Sequence, residues 1–181
     1  KEKAMKICEQ ITPIAKTIGA INTLINNEEG GWKGDNTDIS GFLYPLSKKE
    51  WSGKKAMILG CGGSSRAVAF GLRELNLELV TLLARKEKKL NHLLSSLNSE
   101  KTYSSNELSN YKGLLPNDLN LIKTIEEADL IINTTPVGMK KYNKEICDKP
   151  LMPFGEEIWN NLNPKSTLYD LIYTPRPTEW L

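Results

Sequence analysis

Apolar positions at three- and four-residue spacing open the chain. Over residues 3–18 this spacing predicts a helix with one face against a core, and Gly19 is expected to end it. Residues 20–25 then form a short apolar segment with the composition of a strand. The turn-rich stretch 26–31 predicts a hairpin that pairs this strand with residues 32–34.

Beyond residue 37, short buried strands alternate with helices. The strands are predicted at 55–60, 77–84, 130–133 and 167–172, and the helices at 38–47 (begun by Thr37 or Asp38), 64–75 and 86–97. This alternation predicts an α/β fold with a doubly wound parallel sheet. Residues 98–118 are rich in Ser and Asn with little periodicity, which predicts a surface excursion.

Composition narrows the class of protein. The 181 residues are 39% hydrophobic and 25% charged, with a net charge of +2. A chain of this size can bury a core without disulfides or a structural metal. The charge balance speaks against nucleic acid as a partner, which needs a concentrated basic face. An apolar run of the ~20 residues that cross a bilayer is missing, so no membrane partner is expected.

The three cysteines, Cys8, Cys61 and Cys147, are odd in number and widely spaced. That pattern is typical of free thiols in a reducing compartment, so we expect a cytoplasmic protein. His92 is the only histidine, and no cysteine pair has ligand spacing. We therefore expect no metal site.

A glycine-rich turn separates the strand 55–60 from the helix 64–75. It consists of Gly60, Cys61, Gly62, Gly63, Ser64 and Ser65. Between a strand and a helix, such a turn is typical of dinucleotide binding, with the helix-start amides facing the phosphates. A plain tight turn in an α/β sheet is the other interpretation.

The end of the second strand indicates which nicotinamide cofactor binds. An NAD site would place Asp or Glu there to bind the ribose 2′-hydroxyl. Here the strand ends with Ala84-Arg85-Lys86, and Lys88 and Lys89 follow. Arg85 can bind a 2′-phosphate through two N–H groups, and Lys86 and Lys89 add positive charge, which predicts NADP. Lysines on a solvated helix face are common, so Arg85 is the stronger indication.

Four groups of sequence strings occur in an order typical of one enzyme family. They are Lys1-Glu2 with Gly19-Ala20-Ile21-Asn22-Thr23-Leu24; Gly34-Asp35-Asn36-Thr37-Asp38 with Gly41-Phe42; Gly60 to Ala67; and Ile132 to Met139 with Tyr169-Asp170-Leu171-Ile172-Tyr173 and Thr174-Pro175. Together they resemble the shikimate dehydrogenase family over nearly the whole chain. The resemblance implies NADPH-dependent reduction of 3-dehydroshikimate to shikimate in aromatic amino-acid biosynthesis, by a monomer or a homodimer.

The resemblance also implies roles for individual residues. Lys1 falls on the family's catalytic lysine and Asp38 on its aspartate partner. Asn22, Asp38 and Tyr173 fall on substrate-contacting positions. The loop beside the nicotinamide is matched by Thr134, Thr135, Val137, Gly138 and Met139. Ala84 departs from the family, in which an asparagine commonly precedes the NADP arginine.

The chemistry of ketone reduction is consistent with these roles. Hydride addition needs a proton donor at the carbonyl oxygen. Without a zinc site, and with His92 on a predicted exposed helix, Lys and Tyr are the candidates. Read alone, Asp38 is equally well explained as a helix cap, and Lys1 as a frayed terminal lysine.

The resemblance suggests a division of the chain. Residues 1–37 are expected to be the C-terminal part of a substrate-binding domain, and residues 38–181 a Rossmann-like NADP domain with its linking helix. The absence of a start methionine and the helix-like start at Pro177 lead us to expect an internal piece. The family's N-terminal Ser-x-Ser segment and C-terminal glutamine would lie outside it.

Three other functions remain open from the residues. Tyr44 and Lys48 spell the Tyr-x-x-x-Lys pair of short-chain reductases, but they precede the glycine turn, whereas that class places them after it. A quinate-acting relative that uses NAD is disfavoured by Arg85. A non-catalytic NADP-binding module is disfavoured by the presence of both Lys1 and Asp38.

Overall fold

The computed structural model describes residues 3–28, 30–99, 110–139, 153–174 and 177–178. Within these ranges the strands are β1 (Gln10–Ile11), β2 (Thr23–Asn26), β3 (Trp32–Asp35), β4 (Lys55–Leu59), β5 (Leu79–Leu83), β6 (Asn110–Leu114), β7 (Leu130–Asn133) and β8 (Thr167–Asp170). The α-helices are α1 (Pro13–Ile18), α2 (Asp38–Leu43), α3 (Gly63–Leu72), α4 (Glu87–Ser99), α5 (Leu121–Glu126) and α6 (Glu156–Asn160).

The helix expected over residues 3–18 is wrong as one element. Residues Lys3–Ile7 form a 3₁₀ helix, β1 follows, and only α1 is α-helical. Pro13 explains the break, because proline lacks an N–H and suits the first turn of a helix but not its middle. Thr12 caps α1 by accepting a hydrogen bond on Oγ1 from the Ala15 amide at 3.4 Å.

The predicted hairpin is confirmed, with its first strand shifted along the chain. β2 pairs antiparallel with β3, and β1 pairs parallel with β3 on the other side. Gly19 ends α1 as predicted, in the left-handed conformation with φ +69°. The strand begins only at Thr23. Before it, the Asn22 amide donates to the Asp35 carbonyl at the end of β3, and the Ala20 carbonyl accepts from the Asn36 side chain.

The larger sheet confirms the doubly wound architecture. Its five strands are all parallel, in the order β6-β5-β4-β7-β8. From β4 the chain runs outward through β5 to β6, then returns to place β7 on the other side of β4. The order therefore reverses beside β4, and in such sheets ligands bind at the carboxyl ends of the strands near this point.

Separate apolar cores cover the two faces of this sheet. Alternate residues of β4 serve them, because strand side chains point to opposite faces. Ala56 and Ile58 belong to the core formed with α2, α3 and α4, whereas Met57 and Leu59 belong to the core formed with α5 and Ile158 of α6. Burial on both faces explains why β4 is a continuous apolar run.

The excursion predicted over residues 98–118 is wrong for its last part, where β6 forms the edge of the sheet. Residues 100–109 lie outside the described residues. The sequence of β6 does not show a clear strand pattern, because Gly113 interrupts its alternation. A Cβ at Gly113 would lie 2.8 Å from Leu94 Cδ1, so the absence of a side chain lets α4 approach the sheet.

Helices α5 and α6 were not predicted, and the helix expected over 38–47 ends at Leu43.

The proposed boundary at residue 37 stays a prediction. The three-stranded sheet lies before it, and the helix that follows it, α2, packs against α3 through Phe42 and Gly71. In the part of the chain that the structure describes, none of the helices combines the length and apolar character needed to cross a membrane.

Candidate active site

A cavity of about 630 Å³ opens at the carboxyl ends of β4, β5 and β7, where the strand order reverses. It is lined by Gly60, Cys61, Gly62, Ala84, Arg85, Lys86, Lys89, Thr134, Thr135, Pro136, Val137, Phe154 and Gly155. We call it the cofactor cleft. Most residues predicted for the cofactor are therefore brought together, although they come from three separate strand ends.

The glycine turn forms the floor of the cofactor cleft. Gly60 has φ +117°, a backbone conformation that suits glycine. Gly62 is exposed, and a Cβ there would meet nothing within 4 Å, so a ligand can approach its backbone closely. Gly63 begins α3, and Ser65 is fully buried behind the turn. Ser64 lines a different cavity, described below.

Positive charge is concentrated at one end of the cofactor cleft. Arg85, Lys86 and Lys89 are exposed and line it, and its described lining contains no Asp or Glu. Burial raises the pKa of the Cys61 thiol, and the positive charges of Lys89 and Arg85 offset part of this rise. Ala84 is 1% exposed and forms part of the wall of the cofactor cleft. This end can therefore accept an anion.

The loop after β7 is anchored by a side chain that the sequence did not single out. Asn133, 1% exposed, accepts hydrogen bonds on Oδ1 from the Thr135 amide at 3.0 Å and the Thr135 hydroxyl at 2.7 Å. Its Nδ2 donates to Asp170 Oδ1 at 3.0 Å. Asp170 also accepts from the Thr178 hydroxyl at 2.8 Å. The available signal was a polar residue at the end of each of two neighbouring buried strands.

The predicted loop residues divide between the cofactor cleft and its surroundings. Thr134, Thr135 and Val137 line the cleft. Gly138 is buried beside it with φ +104°, and Met139 is 39% exposed. Neither of these two residues is part of the cavity wall.

Asn22 and Asp38, both expected to contact the substrate, lie in direct contact with each other. Asn22 Nδ2 donates to Asp38 Oδ1 at 2.6 Å, and its Oδ1 accepts from the Thr37 amide at 3.1 Å. Thr37 occupies the N-cap position of α2 and Asp38 its first turn. The Asp38 carboxylate is therefore oriented by a side chain from the β2 side of the molecule.

The buried Asn36 side chain positions Asn22 and Asp38. It is 3% exposed, donates through Nδ2 to the Ala20 carbonyl at 2.9 Å and accepts from the Asp38 amide at 2.9 Å. Asp35 in turn accepts from the Thr12 hydroxyl at 2.6 Å. Of the polar residues from Asp35 to Asp38, the first two thus have structural roles and the last two face outward.

A second cavity, of about 680 Å³, lies on the other side of the start of α3. Its lining includes Asp38, Ser64, Asp170 and Tyr173. Tyr173 is 80% exposed, at the rim. Lys1 lies outside the described residues. Gly62, the N-cap residue of α3, lines the cofactor cleft, and Ser64, in the first turn of α3, lines the second cavity, so ligands in the two cavities would be neighbours.

The chain is similar over its whole length to curated enzymes. It is 42% identical over 181 residues to a shikimate dehydrogenase (NADP(+)) of Prochlorococcus marinus subsp. pastoris, covering 100% of this chain and 59% of the relative. It is 38% identical over 183 residues to the shikimate dehydrogenase (NADP(+)) of Synechocystis sp., covering 100% of this chain and 58% of that relative. No protein-family model matches the chain.

A solved structure agrees in fold. The shikimate 5-dehydrogenase of Thermus thermophilus, determined with NADP(H) and shikimate, is 31% identical with a TM-score of 0.71, covering 97% of this chain and 56% of its own. Over its whole length the chain is similar to shikimate dehydrogenases. It spans about 59% of the length of the curated relatives that it matches.

Proposed function

We propose that the full-length protein catalyses the reversible, NADPH-dependent reduction of 3-dehydroshikimate to shikimate, a step toward chorismate and the aromatic amino acids. The similarity to enzymes named for this activity covers every residue of the chain. The observation that carries the proposal is geometric. A cleft with a cationic end and the Asn22–Asp38 pair lie on opposite sides of the start of α3.

NADP is the proposed cofactor, and the residues present suit it. Arg85, with Lys86 and Lys89, would bind the 2′-phosphate as a charge-assisted contact. The turn from Gly60 to Ser65 would face the pyrophosphate, and the loop from Thr134 to Met139 the nicotinamide. The cofactor supplies hydride when bound. The solved relative from Thermus thermophilus was determined with this cofactor.

The substrate side is proposed to bind a small polyhydroxylated anion. Asn22 and Tyr173 offer an amide and a hydroxyl, which suit hydroxyl groups. Lys1 would donate the proton that the carbonyl oxygen needs, and Asp38 would orient the lysine and sustain its charge. The hydrogen bond from Asn22 Nδ2 to Asp38 Oδ1, 2.6 Å long, holds the carboxylate in place and so supports this role of Asp38. A single chain suffices for this chemistry, so a monomer and a homodimer both suit it.

A cytoplasmic location is part of the same proposal. It is supported by the free thiols of Cys8 and Cys61, because reducing compartments keep cysteines unpaired. Two of the alternatives from the sequence make different predictions. A quinate-acting relative would prefer NAD, and a non-catalytic module would bind NADP without turnover.

The test is shikimate-dependent reduction of NADP by the full-length protein, compared with quinate and with NAD. Asp38→Asn should lower kcat by at least about 100-fold, the usual scale of a positioned acid–base group, and Lys1→Ala should do the same. Asp118→Asn, in the loop after β6, is the matched control and should keep wild-type turnover. Near-normal turnover in Asp38→Asn would remove that residue from the mechanism, and an inactive wild type would overturn the function.

A further inference from the structure

The hydroxyl groups of two residues connect the opposite walls of the cofactor cleft. Ser65 lies in the first turn of α3, behind the glycine turn, and is fully buried. Thr134 follows β7 and lines the cleft. Their Oγ atoms lie 2.6 Å apart. Gly62 N lies 3.0 Å from Ser65 Oγ, and Thr134 Oγ1 lies 2.6 Å from the Leu59 carbonyl oxygen.

Counting hydrogens allows only one direction for this chain of bonds. The Leu59 carbonyl can only accept, so the single hydroxyl hydrogen of Thr134 points to it. Thr134 must then accept from Ser65, which uses the single hydrogen of Ser65. Ser65 in turn accepts from the Gly62 amide. The sequence of donation is Gly62 to Ser65 to Thr134 to Leu59, and every group in it is satisfied.

Gly60 gives an independent indication that this arrangement shapes the cleft. A Cβ at Gly60 would lie 2.7 Å from Thr134 Oγ1 and 3.2 Å from Ser65 Oγ. The two hydroxyls therefore occupy the space that a side chain at Gly60 would need. The hydroxyl pair therefore requires glycine at residue 60, although Thr134 is far from that residue in the sequence.

We infer that Ser65 and Thr134 are positioning residues whose paired hydroxyls set the distance between the glycine turn and the loop after β7. The inference rests on the proposed function, in which the first wall contacts the pyrophosphate and the second the nicotinamide. Because Ser65 is fully buried, it acts through Gly62 and Thr134. The Gly62 amide is bonded internally, so it is not among the amides that bind phosphate.

The consequence is a coupled effect on binding and turnover. When the chain of bonds is broken, the turn and the loop are no longer fixed relative to each other, and a bound dinucleotide loses its geometry at both ends. Loss of one such bond corresponds to about a tenfold change in an equilibrium constant. Because the bonds form one series, breaking the series at a second point should add little to the loss of affinity that the first break causes.

The experiment is a double-mutant cycle in the full-length protein. Ser65→Ala, Thr134→Val and the double variant are compared by NADP calorimetry and steady-state kinetics, with Thr134→Ser as the variant that keeps the hydroxyl. Each single loss should raise the Kd for NADP about tenfold and lower kcat, and the double variant should lie within about threefold of the weaker single. Thr134→Ser should stay within about threefold of wild type.

A second readout needs no cofactor. Exchange of the Gly62 amide hydrogen should be slow in the wild type and much faster in Ser65→Ala, because that amide loses its acceptor. A role of Ser65 in packing alone would leave this amide and the NADP affinity unchanged.

Several outcomes would overturn the inference. Losses that multiply to about 100-fold in the double variant would show independent contacts. An effect of Thr134→Val without one of Ser65→Ala would show direct contact with the cofactor. If Ser65→Ala does not fold, the Thr134→Val and Thr134→Ser pair still decides, because wild-type affinity in Thr134→Val contradicts the inference. Failure of the wild type to bind NADP would instead overturn the proposed function, while Gly62 exchange still tests the bond geometry.

Discussion

Arg85 shows how one residue is expected to select the cofactor. It is exposed at the carboxyl end of β5, on the wall of the cofactor cleft. A charge-assisted hydrogen bond contributes about 1.5–3 kcal/mol. Arg85→Ala should therefore raise the KM for NADPH by about 10- to 100-fold and leave the KM for NADH nearly unchanged, because NADH lacks the 2′-phosphate. Steady-state kinetics of the full-length protein with both cofactors measure this.

Lys88 provides the matched control for Arg85. It is exposed on α4 next to Lys89 but is not part of the cleft wall. Lys88→Ala should change neither KM, which separates a local contact from the general positive charge of the helix. Equal losses with NADPH and NADH in Arg85→Ala would assign that arginine a structural role.

At the scale of elements, the end of α1 is joined to the cofactor-side helix α3. Arg66 donates through Nη1 to the Ile18 carbonyl at 3.2 Å. A Cβ at Gly19 would lie 2.8 Å from the same Nη1. Gly19→Ala therefore combines a left-handed backbone that suits glycine with displacement of Arg66. We expect it to lower the free energy of unfolding by about 2–3 kcal/mol, measured in urea.

Gly53 isolates the steric part of this effect. It has φ +70°, close to the +69° of Gly19, and a Cβ there would meet nothing within 4 Å. Gly53→Ala should therefore cost only the backbone contribution, about 1 kcal/mol less than Gly19→Ala. In an Arg66→Ala background the two glycine substitutions should cost the same. A persistent difference would mean that Arg66 is not the group that Gly19 accommodates.

For the whole molecule, ligand binding should be visible as stability. A ligand that binds only the folded state at about 100 times its Kd adds about 2.7 kcal/mol to the free energy of unfolding. For a chain of 181 residues this corresponds to a rise in Tm of about 5–10 °C. We expect NADP to produce this rise in thermal unfolding of the chain. NAD at the same concentration should produce much less, and an equal rise would contradict the assignment of Arg85.

The local sequence determined the elements whose pattern lies in neighbouring residues. The apolar runs of β4 and β7, the glycine turn and the cation at the end of β5 were all visible without a structure, since each depends on residues within a few positions. These features also sufficed for the parallel sheet and for the location of the cofactor cleft. Burial on both faces made β4 and β7 stronger signals than the short pieces before Gly19, where Pro13 breaks the apparent helix.

Tertiary structure decided what depends on partners distant in sequence. β6 is a strand because β5 offers it a hydrogen-bonding edge and α4 covers Gly113, although its own pattern is weak. Asn133 is a loop anchor because Asp170 ends the neighbouring strand. Ser65 looked like a small packing residue until Thr134 came to lie 2.6 Å away, 69 positions along the chain. Local pattern encodes which face of an element is apolar, whereas the pairing of polar groups is specified only when the packed sheet brings the strand ends together.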